Sequence, residues 1–230
     1  MKDILYDSTY FGVLVSIFAY GLGSLVKKKY KLAIFNPLLI SVVAVILFLL
    51  VFRIDYESYN EGAKYLSYLL TPATVCLAIP LYEQLGLLKK NVKAIMAGLV
   101  SGVITSLTCI LALSLLFRFN HQEYVTLLPK SITTAIAMGL SEEMGGIVTI
   151  TVAVILITGV LGNIIAEHVC RLFGIKDPIA KGIAIGSAAH AVGTVKAMEM
   201  GEVEGAMSSL SIAVAGLITV VGASIFANFM

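Results

Sequence analysis

Lys130-Ser131-Ile132-Thr133-Thr134-Ala135-Ile136-Ala137-Met138-Gly139-Leu140-Ser141-Glu142-Glu143 is the stretch on which the fold turns. Its uncharged part, Ser131–Ser141, is apolar enough for a bilayer but only eleven residues long. A helix needs about 20 apolar residues to cross. At about 1.5 Å per residue this one reaches only part-way. Either it crosses with charges at both ends, or it dips in and returns to the face it left. The choice reverses the direction of everything that follows.

The composition says what the medium is. Of 230 residues, 59% are hydrophobic and 13% charged, with a mean hydropathy of +0.97. A soluble domain carries about 25% charged residues, so this chain has too few to wet a globular surface. That excludes a soluble enzyme, a nucleic-acid module and a disordered chain. A net charge of +2 gives no polyanion-binding signal. Three cysteines (Cys76, Cys109, Cys170) have no CxxC spacing and read as small packing residues. The start of the chain reads as a retained first span, without a cleavable leader.

Six uncharged runs are long enough to cross: Ser8–Val26, Leu32–Phe52, Tyr65–Tyr82, Ala94–Phe117, Met144–Ala166 and Gly205–Met230. A seventh, Gly182–Val195, crosses if it is extended to Pro178 and Met200. Basic residues set orientation. If Ser131–Ser141 is re-entrant, the clusters Lys27–Lys31, Lys89–Lys93 and Arg171–Lys181 all face the cytoplasm. The expected fold is therefore an all-α polytopic membrane protein with about seven transmembrane helices plus one re-entrant segment. The N-terminus is expected outside and the C-terminus inside, with Glu199, Glu202 and Glu204 at the outer end.

Val43-Ala44-Val45-Ile46-Leu47 recurs as Val152-Ala153-Val154-Ile155-Leu156, and the order of elements around it repeats. This suggests one membrane domain over 1–230 built from two inverted repeats, about 8–118 and about 126–230, with broken helices. Inverted repeats with interrupted segments point to a secondary transporter and its site. Helix breaks are expected at Pro72, Pro80, Gly145, Gly146 and Gly193.

Polar groups at membrane depth are costly and so mark candidate sites. Lys130, Ser131, Thr133 and Thr134 open a short helix whose free N–H groups and dipole suit a carboxylate; an interfacial cap with a snorkelling lysine reads equally well. In Ser187–Glu199, Gly193 can break the helix, His190 and Thr194 share a helix face, and Lys196 offers a positive charge. His190 suits proton coupling, or bridges two helices. Lys196 and Glu199 also read as an interfacial ion pair. Glu142 and Glu199 are further coupling candidates, Glu142 set against a solvated loop turned by Gly145 and Gly146. Thr74 is a possible ligand in the first half. Gly98 and Gly102 read as helix packing. No metal-ligand spacing, nucleotide loop or nucleophile–base pair appears, so the chain is not read as an enzyme and no cofactor is implied.

Lys130-Ser131-Ile132-Thr133-Thr134, Ser141-Glu142, Gly145-Gly146, Gly159-Val160-Leu161-Gly162, His190-Ala191-Val192-Gly193-Thr194, Glu199 and Gly205-Ala206-Met207-Ser208 together resemble the LrgB/CidB family. Thr71-Pro72-Ala73-Thr74 and Ile79-Pro80-Leu81-Tyr82 add the first-half pattern. Ala135 and Ala189 depart from it, where a Pro and a Ser are common. The resemblance implies two roles. One is a secondary transporter of small monocarboxylates or 2-hydroxycarboxylates (the glycolate, glycerate and pyruvate class), coupled to protons or cations. The other is an antiholin-like regulator of murein hydrolase activity and autolysis, paired with a small LrgA/CidA-type membrane protein. It also implies a bacterial plasma membrane. A homodimer is expected, with a small organic anion and lipid as the other partners.

Overall fold

The structure is a computed structural model that describes residues 10–30 and 35–230, apart from the side chains at 70, 71, 74, 77, 80 and 81. Every regular element among the described residues is helical. In order they are α1 (Phe11–Tyr30), α2 (Pro37–Phe52), α3 (Tyr56–Ala63), a 3-10 stretch (Lys64–Leu69), α4 (Leu70–Glu83), α5 (Leu85–Phe117), α6 (His121–Leu127), α7 (Thr134–Glu143), α8 (Val148–Leu172), α9 (Pro178–Met200), α10 (Glu202–Phe226) and a closing 3-10 turn (Ala227–Phe229). Among the described residues α1, α5, α8 and α10 with its closing turn are long and apolar enough to cross a bilayer. The chain is a membrane protein.

The helices fall into two compact units, residues 1–76 and 77–230. In the first, α1 and α2 run antiparallel. Gly23 lies against the Pro37 backbone at one end, and the Phe11 and Phe48 rings lie 6.3 Å apart at the other. Asn36 starts α2 by accepting the N–H groups of Leu38 at 2.8 Å and Leu39 at 3.4 Å, with Pro37 at the first helical position. α2 has sixteen residues, fewer than the expected run Leu32–Phe52. α4 continues through Pro72 and Pro80, so neither proline is a helix break. Pro72 stands in the first turn, where its missing N–H would have had no partner.

The second unit takes in the end of α4 and then α5, which kinks at Asn91 and buries Ile95, Leu99, Val103, Leu107 and Ile110 along one stripe. In lipid such a stripe gains from close packing more than from leaving water. After α5 the chain makes a first hairpin. α6 opens with a reciprocal cap between Asn120 and Glu123. The chain then turns at 128–133 and returns as α7. The return is shown by its ends: the N–H of Ile147 donates to Thr126 Oγ1 at 2.8 Å. Gly145, at φ +80°, turns the chain from α7 into α8, and Gly146 passes close to Thr126.

α9 makes a second hairpin, which corrects the expected crossing over 178–200. Near its start Gly182 touches the Glu204 backbone, and near its end Met198 touches Gly205. A straight helix would hold residues 182 and 198 about 24 Å apart. The first arm is parallel to α10 (Gly182 on Glu204, Gly186 on Ser208), and the second is antiparallel (Met198 on Gly205, Thr194 on Ser208). The apex is His190, at φ 42° and ψ −138°. Gly193, expected to be the break, is helical and buried against Ile185 of the first arm. Because α9 returns, α10 starts at the lysine-bearing face and ends at the opposite one. There the Tyr124 hydroxyl donates to Phe226 O at 2.9 Å, and His121 Nδ1 reaches Met230 O at 2.6 Å. Lys181 pairs with Glu204 at 3.9 Å, so the acidic cluster shares the face of the basic one.

Candidate functional site

The apex of α9 sits in a notch on α8. Gly159 and Gly162 make the notch: a side chain at Gly159 would meet the His190 ring at 2.8 Å, and one at Gly162 would meet Ala189. His190 is 3% exposed, and its Nε2 lies 3.2 Å from Ile155 O. A carbonyl can only accept, so Nε2 carries the proton. One turn further on, Asn163 Nδ2 donates to Val192 O at 2.8 Å. Both bonds hold a strained residue. A non-glycine left-handed backbone costs about 1–3 kcal/mol and persists only where its surroundings hold it in place.

The second arm carries hydroxyls away from the apex. Thr194 Oγ1 donates to His190 O at 2.9 Å and lies 2.7 Å from Ser208 Oγ on α10. With the threonine proton committed to the carbonyl, Ser208 is the donor between the two. Both side chains are fully buried. Small residues on α10 and on the first arm let the backbones approach closely.

The first hairpin brings Lys130 and Ser131 to its turn. Lys130 Nζ donates to Ser131 Oγ at 2.9 Å, and Ser131 lies 3.2 Å from Ser106 on α5. Lys130 is half-buried, and among the described residues no carboxylate pairs with it. Thr133 is the N-cap of α7 and makes no side-chain cap bond; Thr134 is the first helical residue, and both are half-buried. The turn therefore gathers a cation, three hydroxyls and the free N–H groups of a helix start.

The other sequence-nominated residues lie elsewhere. Lys196 reaches Glu167 at 3.1 Å and Glu199 at 3.6 Å. Glu167 follows Ile155 on α8 by twelve residues, about 18 Å. Lys196 therefore stands near the basic face, and its charge does not join that of Lys130. Glu199 is tied up in the same network. Glu142 is exposed at the far end of α7. Gly145 and Gly146 turn the chain, while the side chains of Thr74 and Pro80 lie outside the described residues.

A cavity of about 550 Å³ opens beside the network, lined by Glu167, Arg171, Lys176, Lys181, Lys196 and Glu204 among others. Sequence reasoning missed Asn163, Ser208 and Glu167. Asn163 had a legible signal: it is an amide inside an otherwise apolar run. Ser208 and Glu167 become informative only once the hairpin sets them against Thr194 and Lys196.

No solved structure matches this chain. Curated relatives named antiholin-like protein LrgB, from Bacillus mycoides, Bacillus cereus and Bacillus anthracis, are each 40% identical to it over 222 residues. The match covers 96% of this chain and 96% of each relative. A family model described as the LrgB-like family matches residues 16–229. With the resemblance in its motifs now matched along nearly its whole length, the chain belongs to the LrgB-like family.

Proposed function

We propose that this chain serves the antiholin-like role its relatives are named for, and that it does so as a carrier of small organic anions in a bacterial plasma membrane. The names of the relatives support the first part and say nothing of transport. The carrier reading rests on one observation: Lys130, half-buried at the turn of a hairpin, has a hydroxyl for a partner and no carboxylate. A cation held this way at membrane depth is costly, and a bound carboxylate would relieve the cost. The substrate class is a small monocarboxylate or 2-hydroxycarboxylate. Its carboxylate would sit at Lys130, Ser131 and the start of α7, and its polar end toward His190 and Thr194. No bond is made or broken; the work is binding and release.

The arrangement suits alternating access. Each hairpin starts and ends at one face, and the two enter from opposite faces. A span followed by a hairpin occurs twice in opposite directions, α5 with α6–α7 and α8 with α9, as inverted-repeat carriers do. The face bearing Lys89, Lys90, Lys93, Arg171, Lys176 and Lys181 is cytoplasmic by the positive-inside rule. The C-terminus then lies outside, opposite to the sequence expectation, because α9 does not cross. His190, buried at the apex of α9, is the coupling candidate this reading favours.

The competing reading is direct association with an LrgA/CidA-type partner, without carriage. Proteoliposomes holding the purified chain and given radiolabelled glycolate or pyruvate separate the two. We expect saturable uptake that Lys130→Ala reduces at least tenfold. No uptake in either protein, with an autolysis defect in the deletion strain, would leave the association reading standing.

A further inference from the structure

The two hairpins are fastened in different ways. The first is tied by buried neutral hydroxyls. Ser141 Oγ lies 2.7 Å from Thr151 Oγ1, which in turn lies 2.9 Å from Thr126 O, and Thr126 Oγ1 accepts from the Ile147 N–H. Ser141, Thr151 and Thr126 are all buried, so this knot joins both arms to α8 out of reach of water.

The second hairpin is tied at its open end by ions. Lys196, on the returning arm, bridges Glu167 on α8 and its own neighbour Glu199. Arg171 holds the other oxygen of Glu167 at 3.3 Å. Lys181, on the entering arm, reaches Glu204 on α10. The Lys196–Glu167 pair is wet, the Lys196 side chain 22% exposed and that of Glu167 46%, with the cavity of about 550 Å³ against it, whereas Glu204 is buried. Partly solvated ion pairs each contribute little and are screened by salt. They hold a position without locking it. The arms meet at one strained residue, His190, and below the ion pairs the returning arm is fastened to α8 and α10 through bonds of His190, Asn163 and Thr194.

We propose that the α9 hairpin is the gate on the basic face, and that Lys196–Glu167 is its latch. The returning arm swings about His190 when the latch parts, and the cavity then reaches Thr194 and Ser208. The first hairpin stays fixed against α8. This deepens the carrier reading and rests on it for what passes the gate; the motion itself needs no substrate.

The test reads accessibility and not uptake. In full-length protein with Cys76, Cys109 and Cys170 replaced by alanine, Ser208→Cys reports on the path under the returning arm and Ser141→Cys reports on the fixed hairpin. Inside-out vesicles, which present the basic face and the Ser208→Cys reporter, and right-side-out vesicles, which present the face of the first hairpin and the Ser141→Cys reporter, are treated with a membrane-impermeant maleimide. Glu167→Gln and Lys196→Ala are expected to raise the labelling rate of Ser208→Cys at least fivefold, and Lys196→Arg to leave it near the parental rate. Ser141→Cys should stay slow throughout. Parental labelling of Ser208→Cys in both latch variants would overturn the proposal, and so would an equal rise at both reporters, which would mean general loosening. Failed uptake in the proteoliposome assay would bear on the carried anion and leave this result intact.

Discussion

His190 Nε2 donates to Ile155 O at 3.2 Å, so the apex of a helical hairpin is fastened to α8 two turns from its start. Ile155 O lies four residues before Gly159, the glycine that makes room for the ring. The bond and the notch act on the same residue, and together they set the depth of the apex.

That arrangement makes Gly159 intolerant of any side chain. An alanine there would meet His190 at 2.8 Å and Val192 at 3.0 Å, and the apex would have to move. Overpacking of this kind costs about 1–3 kcal/mol. Gly159→Ala should lower the thermal unfolding midpoint in detergent and cut uptake several-fold. Gly139→Ala, where nothing lies nearby, should do neither.

Thr151 is expected to matter for stability alone. Thr151→Val leaves Ser141 without its 2.7 Å partner inside a fully buried knot. Orphaning a buried hydroxyl costs about 1–3 kcal/mol. Denaturant unfolding should show that loss, while the apparent affinity for substrate stays within about twofold.

Sidedness follows from the return of α9. Single cysteines placed at Lys176 and Glu199 should be labelled from the same face of the membrane, and one at Asn228 from the other. Labelling of positions 176 and 199 from opposite faces would mean that α9 crosses.

Salt should act on the latch more than on the anion site. Raising ionic strength through a range that screens partly exposed pairs should speed maleimide labelling of Ser208→Cys in the parental protein. In Glu167→Gln the same change should have little effect, because the pair to be screened has already gone.

The long spans were legible because α5, α8 and α10 are written as uncharged runs. The first hairpin was legible because Ser131–Ser141 is too short to cross. The second was not, for two physical reasons. Its ends carry Lys181 and Lys196, and charges near both ends of an apolar run look alike whether it crosses or returns. Its bend also lies at a histidine with positive φ, a conformation far commoner for glycine, and the nearby Gly193 drew the assignment to itself. Gly193 is small for another reason: the returning arm packs there against Ile185. Among the candidate site residues, Lys130 and His190 could be picked out as polar groups in apolar surroundings. That Lys196 belonged to Glu167, and not to Lys130, depended on the fold-back itself.

The most direct test of the account is equilibrium binding of radiolabelled glycolate or pyruvate to the purified chain, comparing wild type with Lys130→Ala, Thr194→Val and Lys196→Ala. The account predicts saturable binding in the wild type, at least tenfold weaker in Lys130→Ala, several-fold weaker in Thr194→Val and within about twofold of wild type in Lys196→Ala. Equal binding by wild type and Lys130→Ala would contradict it.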